Sequence, residues 1–75
     1  MRKEFCEKDG IYISYTDVDV CFEDINTAES ILLKNNGEII HSNFDEEKNR
    51  FFQNYLKQIY PAINAYRNFD EVETA

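Results

Sequence analysis

Four carboxylates, Asp17, Asp19, Glu23 and Asp24, are the residues whose spacing points most directly to chemistry. On a strand, Asp17 and Asp19 share one face about 6.6–6.8 Å apart, and Glu23 continues the row with Cys21 between. Such oxygen donors suit Ca²⁺ or Mg²⁺. The Asp-x-Asp-x-Asp-Gly frame and closing Glu of an EF-hand are missing, however, so no metal is expected. Residues 9 to 33 hold no Lys, Arg or His, yet they include Asp9, Asp17, Asp19, Glu23, Asp24 and Glu29. A row of carboxylates on a rigid strand offers a basic groove the charge it otherwise meets on a nucleic-acid backbone. The same row also fits the plain solvent side of a half-buried sheet, or an edge strand protected against aggregation. Tyr15, just before the cluster, adds an uncharged anchor, because tyrosine presents a large contact area at low entropic cost.

The other chemically capable residues are Cys6, Cys21 and His41. A Cys–His pair would need the fold to bring His41 beside a thiol. Both cysteines fall in strand-like segments, away from a helix N-terminus that would lower their pKa. The chain has no Gly-rich phosphate loop, no Gly-x-Ser-x-Gly, no His-Glu-x-x-His and no Cys-x-x-Cys. Two cysteines and one histidine are too few for a tetrahedral zinc site without carboxylate help. An enzyme is not expected, and neither is a cofactor.

Composition narrows the partner. With 15 acidic and 8 basic residues the net charge is -7. Direct nucleic-acid binding depends on Lys and Arg neutralising phosphates, so it is disfavoured, as is an anionic membrane surface. Basic protein surfaces remain, alongside the reading in which net charge only keeps a small protein soluble. The first residues, Met1-Arg2-Lys3-Glu4-Phe5-Cys6, carry no apolar signal core, and no apolar run approaches the roughly 18 residues of a membrane span. Reduced cysteines and a cytoplasmic location are expected.

The elements that must position these groups follow from the hydrophobic pattern. Seventy-five residues allow one domain, residues 1–75, whose small core needs dense packing; five tyrosines and six phenylalanines supply it. Asp9-Gly10 predicts a type I′ turn pairing residues 3–8 with 11–16, with Cys6 opposite Ile13 and Lys8 opposite Ile11. Ile11, Ile13 and Tyr15 alternate on odd positions, whereas Val18, Val20 and Phe22 alternate on even ones. A register cannot change phase without a break, which we place at Thr16-Asp17, ahead of a third strand at 18–23. Residues 30–41 read as a hairpin about Asn36-Gly37 that pairs Leu33 with Ile40, or as a short helix capped by Thr27 and ended by Gly37. The hairpin is the stronger of the two. Asn43 as N-cap, with Glu46 three residues on, predicts a helix over about 43–68. Phe52, Tyr55, Leu56, Ile59, Ile63 and Tyr66 form its core stripe, flanked by Phe51 and Tyr60. Pro61 predicts a kink or break, and residues 70–75 read as a frayed acidic tail.

The expected fold is therefore α+β: a three- or four-stranded antiparallel sheet within residues 2–42, with one long C-terminal helix packed on one face. In size, acidity and lack of catalytic motifs the chain is similar to small phage- or mobile-element-encoded anti-defence inhibitors, anti-CRISPR proteins among them. That resemblance implies a stoichiometric inhibitor or adaptor of a basic, nucleic-acid-handling protein. The partner-binding residues would be Asp17, Asp19, Glu23 and Asp24, with Tyr15. The alternative is a homodimerising structural or regulatory domain. The inhibitor reading requires the carboxylates to gather on one ordered surface.

Overall fold

The computed structural model describes the backbone of residues 2–74 and the side chains of residues 2–69. Five strands, β1 (Lys3–Lys8), β2 (Ile11–Tyr15), β3 (Asp19–Asp24), β4 (Ser30–Lys34) and β5 (Ile39–Ser42), precede one helix, α1 (Glu46–Thr74). They form an antiparallel meander in the order β1-β2-β3-β4-β5, with α1 across one face. The α+β class is as expected. The strand count is five rather than three or four, because residues 30–42 form two strands. Thr27 caps no helix; its hydroxyl accepts a bond from the Glu29 amide at 3.2 Å within the β3–β4 loop. No helix among the described residues is long and apolar enough to cross a membrane.

Local chemistry explains each turn. Asp9 and Gly10 both have positive φ, 53° and 81°, the type I′ geometry whose twist matches the flanking strands. It sets Cys6 opposite Ile13 and Lys8 opposite Ile11, as expected. Upstream, a bulge between Glu4 and Cys6 shifts the register, pairing Glu4 with Ser14 and Lys3 with Tyr15. Without it, Phe5 would face Ser14 on the open side of the sheet and Glu4 would lie against Tyr15. The bulge instead lets Phe5 and Cys6 both pack on the core, with Phe5 4.8 Å from the Tyr66 ring.

The phase break falls at residues 16–18. The Thr16 hydroxyl accepts bonds from the Val18 and Asp19 amides, each at 3.2 Å, and donates to the Asp19 carboxylate at 2.8 Å. In the β4–β5 hairpin the Gly37 amide donates to the Lys34 carbonyl at 2.8 Å, and Gly37 has φ of 93°. Asn35, Asn36 and Gly37 thus form a three-residue loop, not a two-residue one. Leu33 pairs with Ile39 instead of Ile40, which falls in the bulge that follows.

The helix starts at Glu46, and its cap is Asp45, whose carboxylate accepts the Lys48 amide at 2.8 Å. Asn43, the expected cap, accepts the Ser30 amide at 2.7 Å and so ties the helix entry to β4. Pro61 lies inside an unbroken helix that continues past residue 68. Its missing hydrogen bond is outweighed by apolar contacts on both sides of it, Leu56 and Ile63 being 1% and 0% exposed. The expected frayed tail, residues 70–75, falls on side chains outside those described.

The core joins Ile13, Tyr15, Val20, Phe22, Ile31 and Leu33 of the sheet to Phe44 and to Phe52, Leu56 and Ile63 of α1. Tyr55 and Ile59 of the expected stripe are half-buried, and Tyr66 is 48% exposed. Near the far end of α1, Arg67 fastens the helix to two loops. Its guanidinium donates to the Thr16 carbonyl at 2.6 and 3.0 Å and to the Asn35 side-chain oxygen at 2.8 Å. It also lies 5.8 Å from the ring centres of Tyr15 and Tyr60. We predict that Arg67→Ala costs about 2–4 kcal/mol, since it leaves a half-buried carbonyl and amide oxygen without donors. Arg2→Ala, which breaks a more exposed pair with Asp19, should cost under about 1 kcal/mol. Urea unfolding of both variants measures the difference, and equal midpoints would contradict it.

Candidate partner-binding surface

The structure separates the residues that sequence spacing grouped. Asp19 and Glu23 do share the open face of the sheet, with Cys21 between them, because alternate residues of one strand point to the same side. Asp17 lies in the β2–β3 turn, where its carbonyl accepts a bond from the Asn35 amide group at 3.1 Å. Asp24 pairs with Ile11 on the helix side, and its carboxylate accepts the Asn26 amide at 2.9 Å. Tyr15 is only 4% exposed, so it is a core ring and not an anchor for a partner. Its odd-numbered phase, shared with Ile13, turns it toward α1. Asp19 is not free for a partner either. Arg2 binds it at 2.5 Å, and Lys34 stands opposite on β4. The expected surface of Asp17, Asp19, Glu23, Asp24 and Tyr15 does not form.

A different acidic surface takes its place. Cross-strand pairing draws three rows on the open face. One row runs Glu7, Tyr12, Glu23, Ser30. The next runs Glu4, Ser14, Cys21, Leu32, His41, and the last contains Asp19 and Lys34 with Arg2 beside them. All basic charge on this face is therefore at the Asp19 end. At the other end Glu7 and Glu23 are exposed with Tyr12 half-buried between them, and Glu4 is exposed in the middle row beside Ser14, to which Arg2 donates at 3.4 Å. None of the three carboxylates makes an ion pair among the described residues. Glu7 and Glu23 are two strand spacings apart, about 9.5 Å. That is within about one Debye length at 0.1 M salt, so a partner meets them as one patch.

Sequence reasoning missed Glu4, Glu7 and Tyr12. The Asp9-Gly10 turn already placed Glu7 opposite Tyr12, and that was the available signal. Glu4 reaches the face only through the bulge, which no residue pattern announced.

The remaining groups are dispersed. Cys21 and His41 are in one row, but Leu32 stands between them, leaving about 9.5 Å between their strands. Cys6 packs toward α1 and Cys21 faces the open side, so the two free thiols are on opposite faces. Among the described residues no three His, Cys, Asp or Glu side chains gather as a metal site. On the helix side, an apolar cleft of about 600 Å³ lies between Lys3 and Glu4 at the β1 edge, Tyr15, and Ala65, Tyr66 and Phe69 of α1, opening beside the last described side chain. Glu4 therefore borders this cleft as well as the open face. No family model, curated protein or solved structure matches the chain.

Burial raises the pKa of Cys21, the carboxylates of Glu23 and Asp19 add to the rise, and Arg2 opposes it. Its thiolate is accordingly scarcer at a given pH than that of an ordinary thiol. Alkylation of Cys21 by iodoacetamide at pH 8 should be slower in the folded chain than in guanidinium, with the folded rate still climbing above pH 9. Equal rates in both states, followed by mass spectrometry, would contradict this.

Proposed function

We propose that this chain is a cytoplasmic, non-catalytic binding protein that acts as a stoichiometric inhibitor or adaptor. It lays the acidic end of its open sheet face on a basic protein surface, of the kind that otherwise receives nucleic acid. The observation that carries the reading is that Glu7 and Glu23, with Glu4 beside them, are exposed around a half-buried Tyr12 on a face that α1 does not cover. Strands hold these groups in place, so binding them orders little that was mobile before. Tyr12 supplies apolar area between the charges, and the net charge of -7 steers encounter with a cationic partner. The resemblance to small anti-defence inhibitors belongs to this reading, with Glu4, Glu7 and Glu23 standing where phosphates would.

A second reading, a homodimerising domain, draws on β5. That edge strand has no Lys, Arg, Asp or Glu in Ile39–Ser42, and Ile39 and Ile40 are 38% and 49% exposed. Sedimentation over a hundredfold concentration range distinguishes the two, since the binding-protein reading expects a monomer throughout.

Retention of host proteins on the immobilised chain provides the test. Proteins held at 50 mM salt should be released by 300 mM salt and displaced by duplex DNA. The Glu7→Lys/Glu23→Lys variant should bind them at least about tenfold more weakly while unfolding at the same urea concentration. Identical retention by the parent chain and the variant would remove the proposal.

A further inference from the structure

A second concavity, of about 280 Å³, lies on the helix side, between the Asn36-Gly37 turn and the middle of α1. We propose that it binds a small phosphate monoester, gripped by Arg50 and Lys57. This site is separate from the acidic sheet face and does not depend on it.

Arg50, Gln53, Asn54 and Lys57 follow the i, i+3, i+4, i+7 spacing that puts them on one side of the helix. Two turns separate the cations, a rise of about 10.5 Å, so their long side chains can converge on a ligand seated over the carboxamides between them. Together with Asn36 and Gly37 these residues line the concavity, and no carboxylate does. In a chain with 15 acidic and 8 basic residues, that absence is unusual.

One of the nearby acids is paired elsewhere. Glu38 pairs with Lys34 at 3.0 Å. Glu46 and Glu47 precede Arg50 by four and three residues, yet neither forms an ion pair with it among the described residues. Three further basic groups are engaged elsewhere, whereas Lys8 stands exposed at the end of β1. Arg2 is paired with Asp19, Arg67 is held by carbonyl and amide oxygens, and Lys48 stands 5.7 Å from the Phe44 ring.

The floor of the concavity is fixed. The Gln53 amide group donates to the Gly37 carbonyl at 2.9 Å, which pins that side chain across the turn. The Asn36 side-chain oxygen accepts the Glu38 amide at 3.0 Å, so its amino group is the part left to donate. A Cβ on Gly37 would meet nothing within 4 Å, which leaves open space above the turn. The groups offered to a ligand are thus a guanidinium, an ammonium and carboxamide donors. A planar guanidinium grips two oxygens of a tetrahedral oxyanion at once, and the ammonium adds a point charge. The volume is at the low end for ligand sites, suited to a phosphate with a few further atoms and too small for a dinucleotide.

Titration with inorganic phosphate, followed in amide NMR spectra at pH 7.5, tests the site. Saturable shifts are expected at Gly37, Arg50, Gln53, Asn54 and Lys57, with chloride at matched ionic strength producing none. Arg50→Gln/Lys57→Gln should weaken binding at least about tenfold. Asn54→Asp, which keeps side-chain size and puts a carboxylate in the lining, should abolish it with the rest of the spectrum unchanged. Shifts that never saturate, an equal response to chloride, or unchanged affinity in either variant would overturn the proposal.

Discussion

The contact between α1 and one face of the sheet is centred on Phe22, and the remainder of the molecule is arranged around it. Phe22 is fully buried on the middle strand, with the Phe52 ring at 5.1 Å and the Tyr55 ring at 5.8 Å. Phe44, 5.0 Å from Phe52, extends the cluster to the helix entry. Offset and tilted rings at these distances add to what their buried area contributes. Deleting such a ring costs more than the transfer energy of the lost atoms, because a cavity remains. A chain this short has one helix with which to cover five strands, so a single face can be dry. The other face must be satisfied by polar side chains and water.

That one-sidedness has a direct consequence for function. Along each strand, residues needed by the core take alternate positions, and whatever lies between them is displayed on the open face. Tyr15 is lost to a partner because it shares a phase with Ile13, and Tyr12 is gained for the same reason. The bulge at Phe5 extends this logic to β1. It turns an aromatic side chain toward Tyr66 and releases Glu4 to the side where Glu7 and Glu23 already stand. The acidic patch is thus a by-product of packing on the opposite face, assembled across three consecutive strands.

This also accounts for what could be read from the residues in advance. Asp9-Gly10 specifies positive φ at two positions, which is a strictly local demand, and the register it implies holds from Cys6 to Lys8. The phase change near Thr16 was equally local, since alternation on odd positions cannot run on into alternation on even ones. The features that escaped depend on partners distant in sequence. Asn43 reads as a cap until Ser30 claims its side chain, after which Asp45 takes that role. Pro61 reads as a helix breaker until Leu56 and Ile63 are both seen anchored in one core. Asp19 reads as exposed charge until Arg2 folds across the open face to meet it. The candidate surface was legible only in part: Glu23 belonged to the expected row, whereas Glu4, Glu7 and Tyr12 required the bulge and the sheet order.

A net charge of -7 also conceals how the charges are distributed. Glu4, Glu7 and Glu23 stand on the open face, while Arg50 and Lys57 stand on the helix layer beside Gly37, with Glu46 and Glu47 one turn ahead of Arg50. The shortest dimension of the molecule is 20 Å, about twice the Debye length at 0.1 M salt. Charges on the two layers therefore scarcely act on each other through the solvent. The basic pair can hold an anion on a chain that as a whole repels anions, and the acidic patch can meet a cationic surface without being neutralised from behind. Any coupling between the layers would have to pass through the packed core. Tightly interdigitated rings resist small displacements, and nothing in their arrangement supplies a second packing for a ligand to select. The two surfaces should accordingly behave as independent sites carried by one rigid unit.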